Sequence, residues 1–240
     1  MQPELLPLGL LLELPPAVHS VGYAVANHAA VIAALSPLGF ADEPRSAVDK
    51  RRAEFMAGRF AASQALRRLG VDGTPGRNDD GSPRWPDAVV GSITHGAERA
   101  LCAVARRGEV VALGIDAERM MAEDTSVELR RRICSASELA TLSAALLAPE
   151  HELVSLVFSA KESLYKCLYP LVGRYMGFEA ARVVAVETRA FDRRSHGTLT
   201  FELSQEWSAT FRVGRAIMAT YALGLTHVET AVVLAAQSQS

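Results

Sequence analysis

The pattern of apolar and polar residues in the first half of the chain predicts several strands and one long helix. Three apolar, β-branched runs follow one another closely, as neighbouring strands do: VVGSITH (89–95), ALCAVAR (100–106) and EVVALGIDAE (109–118). An earlier run, VGYAVAN (21–27), predicts a further strand. Residues 46–70 instead repeat apolar positions at helical spacing, which predicts a long amphipathic helix that a glycine ends.

The second half of the chain shows the same order of a helix followed by strands. Ser135 and Glu138 have the spacing of a capping box, which predicts the start of a short helix. A longer helix is predicted over 149–170, ending at Pro170. Strand-like runs then cover 181–188, 197–204, 210–224 and the segment HVETAVVLA.

A long helix followed by strands, occurring twice, predicts an α+β fold made of two similar halves. We place the domain boundary so that residues 1–110 form the N-terminal half and residues 111–240 the C-terminal half. A chain of 240 residues is long enough for either one large domain or two modest ones.

Composition narrows the class of protein. Hydrophobic residues make up 49% and charged residues 22%, which is typical of a globular protein with a substantial core. The net charge of −2 gives no reason to expect nucleic-acid binding. The opening apolar run contains prolines and a glutamate and is too short to span a membrane, so we predict no membrane association. Three widely spaced cysteines predict a reducing, cytoplasmic location.

Two carboxylates stand one residue apart where an apolar strand ends. Asp116 and Glu118 point to the same face of the strand because side chains alternate along it. Like charges at such positions repel unless a cation lies between them. The cation could be a basic side chain or a divalent metal, and taken alone the pair also fits a strand end turning into solvent.

A third carboxylate and two of the chain's three lysines lie in FSAKESLYK (158–166). Glu162 and Lys166 share a helix face, and alone they fit a surface ion pair. Together with Asp116 and Glu118, however, Glu162 completes the set of oxygen ligands that Mg²⁺ needs. The sequence does not distinguish Mg²⁺ from Mn²⁺, since both favour oxygen ligands. Arginines on the first long helix could meet a phosphate, although a solvated basic face explains them as well.

These stretches resemble the 4′-phosphopantetheinyl transferases, specifically the larger surfactin/enterobactin-synthetase type. The family carries a G-[IV]-D-x-E stretch and, some forty residues later, an [FW]-[ST]-x-K-E-[AS]-x-x-K helix. Both are present here as GIDAE and FSAKESLYK. Three further motifs of the enterobactin-like branch occur in the family's order: RRAEFMAGR (51–59), RWP (84–86) and GSITH (91–95). The resemblance extends from about residue 45 to about residue 180.

The resemblance implies a pseudo-dimer of two α+β halves with the active site in the cleft between them. It implies that the chain transfers the 4′-phosphopantetheine arm of coenzyme A to a serine of an apo acyl or peptidyl carrier protein, releasing 3′,5′-ADP. Asp116, Glu118 and Glu162 would hold Mg²⁺. Glu162, or a water held by it, would be the base, and Lys166 would stabilise the leaving 3′,5′-ADP.

The resemblance also implies which residues bind coenzyme A, the substrate. The contacts to its pyrophosphate or 3′-phosphate region would come from Lys161, Lys166 and His95. The 3′-phosphate and the nucleotide would be bound by Arg51, Arg59, Arg77 and Thr94. We expect a monomer, with the carrier docking beside ELRRRICSASE (128–138).

Two other functions fit parts of the same pattern. A Mg²⁺-dependent nucleotide pyrophosphohydrolase would use the same carboxylates and cations with water as the acceptor. A degenerate, non-catalytic carrier-binding module would have no need of three carboxylates and both lysines together.

Overall fold

The computed structural model describes residues 5–40, 42–96, 98–191 and 194–236, which belong to two compact units. The first unit comprises residues 1–113 with 234–240, and the second comprises residues 114–233. No helix within the described ranges is both long enough and apolar enough to cross a membrane.

The first unit packs a long helix on a small antiparallel sheet. Its elements are β1 (His19–Ala24), α1 (His28–Leu35), α2 (Asp49–Arg68), β2 (Gly76–Arg77), β3 (Pro83–Arg84), β4 (Val89–Gly96) and β5 (Arg99–Arg106). The sheet has the strand order β1-β5-β4, and β2 and β3 form a separate short hairpin. The helix predicted over 46–70 is confirmed as α2, within three residues at each end.

Small side chains allow α2 to approach the sheet closely. Its buried face includes Ala61, Ala62 and Ala65, which form one core cluster with residues of all three strands. At Gly58 a Cβ atom would lie 3.0 Å from Ile93 Cγ2 on β4, so this turn of the helix lies directly against that strand. The middle of α2 and the end of β4 are therefore neighbours.

The described part of the second unit packs α-helices against an antiparallel sheet. Its elements are β6 (Val110–Arg119), which begins in the first unit, α3 (Glu123–Ile133), α4 (Ala136–Ala145), α5 (Glu150–Val172), β7 (Ala181–Phe191), β8 (Arg194–Leu203), β9 (Ala216–Leu223) and β10 (His227–Ala235). The sheet has the order β6-β10-β9-β8-β7. The Ser135–Glu138 capping box is confirmed at the start of α4.

Several predicted boundaries are corrected by the structure. Helices α1 and α3 were not predicted: α1 is apolar on nearly all sides, and α3 is mostly charged, with only Ser126 and Ile133 buried. Helix α5 continues past Pro170 and ends at Gly173, which has a left-handed φ of 68°. The strand predicted over 210–224 begins only at Ala216.

The mixed α+β class is confirmed. Within the described residues, the two larger sheets contain three and five strands, so the units differ in the extent of these sheets. The pseudo-dimeric arrangement and the cleft stay predictions.

Candidate functional site

The first group of candidate residues lies around the middle of α2. Arg59 is only 5% exposed, its Nη1 donates a hydrogen bond to the carbonyl of Pro75 at 3.1 Å, and its guanidinium lies over the ring of Phe55. Burial lowers the pKa of Arg59, the carboxylate of Asp42 opposes this shift, and the like charge of Arg77 adds to it. The positive charges of Arg59 and Arg77 are therefore close enough to repel each other. An anion bound by both side chains would relieve this repulsion.

The hairpin of β2 and β3 positions Arg77 near Arg59. Arg77 is exposed, and its side chain passes Gly81, where a Cβ atom would lie 3.1 Å from the guanidinium. Gly81 has a φ of 87°, a conformation that suits glycine in the tight turn between the two short strands. The hairpin thus places a cation close to Arg59.

Thr94 and His95 lie at the end of β4, next to α2. Thr94 is 4% exposed, whereas His95 is exposed. A Cβ atom added to Gly58 would lie 3.4 Å from His95 Cδ2, so the imidazole packs against the turn of α2 that precedes Arg59. We call Arg59, Arg77 and His95 the Arg59 cluster.

The structure does not bring Arg51 into the Arg59 cluster. Arg51 is exposed on the first turn of α2, and it makes no hydrogen bond or ion pair with any residue in the described ranges. Its neighbour Arg52 is held by Glu43, with Nε 2.5 Å from Oε1. The expected phosphate contact of Arg51 stays a prediction.

The second group of candidate residues depends on a close contact between β6 and α5. A Cβ atom at Gly114 would lie 2.0 Å from the carbonyl oxygen of Ser163 and 2.5 Å from the amide nitrogen of Cys167, so only glycine fits there. Asp116 follows two residues later on the same face of β6. The glycine of the GIDAE motif therefore brings Asp116 against the helix that carries Glu162 and Lys166.

Asp116, Glu162 and Lys166 interact with one another. Lys166 Nζ lies 2.6 Å from Asp116 Oδ1, and Asp116 is 2% exposed while the lysine side chain is 28% exposed. Burial raises the pKa of Glu162, the ammonium of Lys166 opposes this shift, and the carboxylate of Asp116 adds to it. The cation that balances the crowded carboxylates in this structure is thus a basic side chain.

Glu118 is half-buried on the same face of β6 as Asp116, as its spacing predicts. Within the described ranges, the His, Cys, Asp and Glu side chains form no group of three or more arranged to hold a metal ion. The chemistry of the donor set still fits Mg²⁺, because carboxylate oxygens are its preferred protein ligands. In this structure Lys166 pairs with Asp116 beside Glu162, and the metal site expected at Asp116, Glu118 and Glu162 stays a prediction.

Lys161 is part of a buried network and faces away from solvent. Its Nζ donates hydrogen bonds to the carbonyls of Ile133 and Phe178, each at 2.9 Å, and forms an ion pair with Glu138 at 2.8 Å. The side chains of Lys161 and Glu138 are only 5% and 3% exposed. All three N–H donors of the ammonium are therefore in use. The expected phosphate contact of Lys161 finds no support in this geometry and stays a prediction.

Sequence reasoning found Glu138 only as a helix cap. Its Oε2 accepts from the backbone nitrogen of Ser135 at 2.8 Å, while Oε1 accepts from Lys161 and from the backbone nitrogen of Val183 at 3.0 Å. Glu138 thus ties the start of α4 to α5 and β7. Its capping spacing was visible in the sequence, but the partners on α5 and β7 are too distant along the chain for any local signal.

A cavity of about 160 Å³ lies beside Glu162 within the second unit. It is lined by side chains of α5, among them Tyr165, and by aromatic residues that follow this helix, namely Tyr175, Phe178 and Trp207. The rings of Tyr165 and Tyr175 meet edge to face, with centroids 5.5 Å apart. A space with several aromatic rings in its wall is therefore present next to the carboxylate.

Two models of known protein families match this chain. The model of the 4′-phosphopantetheinyl transferase N-terminal domain matches residues 40–105, and the model of the 4′-phosphopantetheinyl transferase superfamily matches residues 112–226. The first match covers the Arg59 cluster, and the second covers Asp116, Glu162 and Lys166.

Curated relatives agree with the family models. The chain is 43% identical over 145 residues to enterobactin synthase component D of Salmonella typhimurium, covering 60% of this chain and 59% of that protein. It is 39% identical over 137 residues to 4′-phosphopantetheinyl transferase PptT of Mycobacterium tuberculosis, covering 57% of this chain and 59% of that protein. The alignment thus spans about three fifths of the length of each of these relatives.

A further relative is matched over a longer stretch of the chain. The chain is 34% identical over 168 residues to 4′-phosphopantetheinyl transferase Npt of Nocardia iowensis, covering 65% of this chain and 69% of that protein. The family motifs, the two model matches and these relatives lead to one conclusion: the chain belongs to the 4′-phosphopantetheinyl transferase superfamily.

Proposed function

We propose that this chain is a Mg²⁺-dependent 4′-phosphopantetheinyl transferase that moves the phosphopantetheine arm of coenzyme A to a serine of an apo carrier protein and releases 3′,5′-ADP. The observation that carries the proposal is the Asp116–Lys166–Glu162 arrangement, which combines two carboxylates and an ammonium at the contact of β6 with α5. Phosphoryl transfer needs this combination, because catalysis depends on positioning and on neutralising the charge of the phosphates.

Asp116, Glu118 and Glu162 are the residues that would hold Mg²⁺. The bound ion would neutralise charge on the pyrophosphate of coenzyme A as the leaving phosphate becomes more negative. Lys166 is partly exposed, so its ammonium can donate to a phosphate oxygen of the leaving 3′,5′-ADP. Its side chain thus has two uses, first for Asp116 in the free protein and then for the substrate.

Glu162 is the candidate base for the serine hydroxyl of the carrier. Burial and the neighbouring Asp116 raise its pKa, and a carboxylate with a raised pKa accepts a proton more readily. A base whose pKa lies near the working pH can both accept the serine proton and release it again before the next turnover.

Arg59 is proposed to bind the 3′-phosphate of coenzyme A. We expect Arg59→Ala to raise KM for coenzyme A about 10-fold or more, and KM for dephospho-coenzyme A much less, because a charge-assisted phosphate contact contributes roughly 1.5–3 kcal/mol. The comparison of the two substrates cancels any loss of packing against Phe55. Steady-state kinetics with both substrates measure the difference, with Arg45→Ala, an exposed arginine of the same unit, as the control. Equal changes in both KM values would place Arg59 outside the 3′-phosphate site.

The carrier is proposed to dock at the C-terminal end of α3. Arg130 already pairs with Glu150, with Nη1 and Oε1 2.6 Å apart, whereas Arg131 and Arg132 are exposed and have no ion pair with any described residue. We expect Arg131→Ser with Arg132→Ser to slow association with an acidic carrier roughly tenfold at low salt, because long-range attraction raises association rates. Arg130→Ser should have a smaller effect. Stopped-flow association over a range of salt concentrations tests this, with coenzyme A affinity as the control. Carrier association rates that stay unchanged at low salt would show that these arginines form an ordinary solvated surface and do not dock the carrier.

The pyrophosphohydrolase is the second candidate, because the same carboxylates and cations could direct water to the pyrophosphate. Consumption of coenzyme A, measured by chromatography with and without apo carrier, separates the two functions. A transferase consumes coenzyme A only when apo carrier is present, whereas a hydrolase also consumes coenzyme A in the absence of carrier. A non-catalytic carrier-binding module would consume none in either mixture.

The carrier itself is part of the proposal. The similarity to enterobactin synthase components makes the carriers of nonribosomal peptide and siderophore synthases the first to test, followed by those of polyketide and fatty-acid synthesis. We also propose that the protein acts as a monomer in the cytoplasm.

A further inference from the structure

A second and larger cavity lies in the first unit, between α1 and the second half of α2. We call it the α1–α2 cavity; its volume is about 640 Å³. Its apolar wall includes Tyr23, Leu35, Phe40 and Phe60, and the rings of Tyr23 and Phe60 are in contact, with centroids 5.1 Å apart. A cavity of this size, with an apolar body and a few polar groups, has the usual character of a small-molecule site.

Polar side chains of α2 and of the segment that follows it also line the α1–α2 cavity, and we call this part of the lining its edge. Gln64 and Arg67 project from α2 there, and Thr74 from the segment that follows. Arg67 is exposed, and its guanidinium forms neither a hydrogen bond nor an ion pair with any residue in the described ranges. The lining contains no Asp or Glu, so the charge of this edge is positive.

The α1–α2 cavity is distinct from the Arg59 cluster. Arg59 turns to the carbonyl of Pro75 and to the ring of Phe55, and neither Arg59, Arg77 nor His95 lines the cavity. Arg67 lies about two helical turns further along α2. The phosphate-binding role proposed for Arg59 therefore does not account for this cavity.

We propose that the α1–α2 cavity binds a small amphipathic carboxylate, one with an apolar body of about the size of a medium-length acyl chain and a single anionic head. The apolar wall would take the body, because burying apolar surface is favourable. Arg67 would take the head as a bidentate pair, which is the geometry that guanidinium and carboxylate share. A cationic head would meet only Arg67 and find no acidic partner, so the charge of the edge selects anions.

The test is calorimetric titration of the whole protein with decanoate, below the concentration at which decanoate forms micelles and without coenzyme A. We expect saturable binding of decanoate and no binding of decyltrimethylammonium, which has the same chain and the opposite charge. Arg67→Gln should weaken decanoate binding about tenfold or more, because it removes the charge-assisted pair. Arg189→Gln, which changes an exposed arginine of the second unit, should leave binding unchanged.

A second variant tests the apolar wall without removing a buried side chain. Ala34 is half-buried and lines the cavity, so Ala34→Phe should fill part of it and weaken decanoate binding severalfold while the thermal unfolding curve is retained. Absence of decanoate binding would overturn the proposal, and so would equal affinity of the wild type and Arg67→Gln or equal binding of the cationic detergent. Since no coenzyme A or carrier is present, these outcomes are independent of the proposed transferase activity.

Discussion

Replacement of Glu162 by glutamine is expected to lower kcat for phosphopantetheine transfer by about 10²-fold or more. Glutamine keeps the size of the side chain but can neither accept the serine proton nor supply a charged metal ligand, and a general base alone contributes about 10²–10⁴-fold to a rate. Because the roles proposed for Glu162 are toward the carrier serine and the metal, KM for coenzyme A should change much less than kcat. Rates are to be measured at saturating Mg²⁺ with the carrier that gives the highest activity.

The control for this variant is Glu152→Gln, on the first turn of the same helix. It removes one negative charge from α5 and lies about three turns away from Glu162. Its activity should equal that of the wild type. Retention of more than half of the wild-type kcat by Glu162→Gln would contradict the role proposed for this carboxylate.

Replacement of Lys161 by methionine is expected to lower the free energy of unfolding by about 3–5 kcal/mol. The change leaves the carboxylate of Glu138 buried without its cation, and removal of one partner of a buried ion pair has a cost of this size. It also leaves the carbonyls of Ile133 and Phe178 without the donor they share. Urea denaturation of the free protein measures the loss.

Two further variants show whether the loss arises from the buried charge. Glu138→Gln combined with Lys161→Met removes both charges and should be more stable than Lys161→Met alone by about 1 kcal/mol or more. Lys50→Met, at an exposed position on α2, should change stability by no more than about 0.5 kcal/mol. A loss below about 1 kcal/mol for Lys161→Met would show that the pair is not structural. A tenfold rise in its KM for coenzyme A, measured while the variant is folded, would support the phosphate contact expected from the family resemblance.

The parts of the fold that were predicted correctly have strong local signals. Helix α2 has a clear periodicity, α4 begins with the capping box of Ser135 and Glu138, and β4 to β6 are apolar, β-branched runs. Helix α1 lacks such a signal, because it is apolar on nearly every side and its pattern does not separate a helix from a buried strand. The bounds of β9 were missed because the turn residues of 204–215 are mixed with apolar ones.

The candidate site shows a similar limit. The shared face of Asp116 and Glu118 follows from strand geometry alone, and the pairing of Glu162 with Lys166 on one helix face follows from helix geometry. That the balancing cation is Lys166 depends on the contact of Gly114 with α5, which joins residues some fifty positions apart. The network of Lys161 likewise depends on tertiary contacts that no spacing in the sequence reveals.

The central claim is that the chain transfers phosphopantetheine to a carrier serine, and the intact mass of the carrier tests it most directly. The protein is incubated with coenzyme A, Mg²⁺ and a panel of apo carrier proteins, with a serine-to-alanine variant of each carrier as the control. The account predicts that at least one carrier gains the mass of one phosphopantetheine arm, that its alanine variant gains none, and that 3′,5′-ADP appears in equal amount. Consumption of coenzyme A with every carrier mass unchanged would contradict the account and would favour the pyrophosphohydrolase.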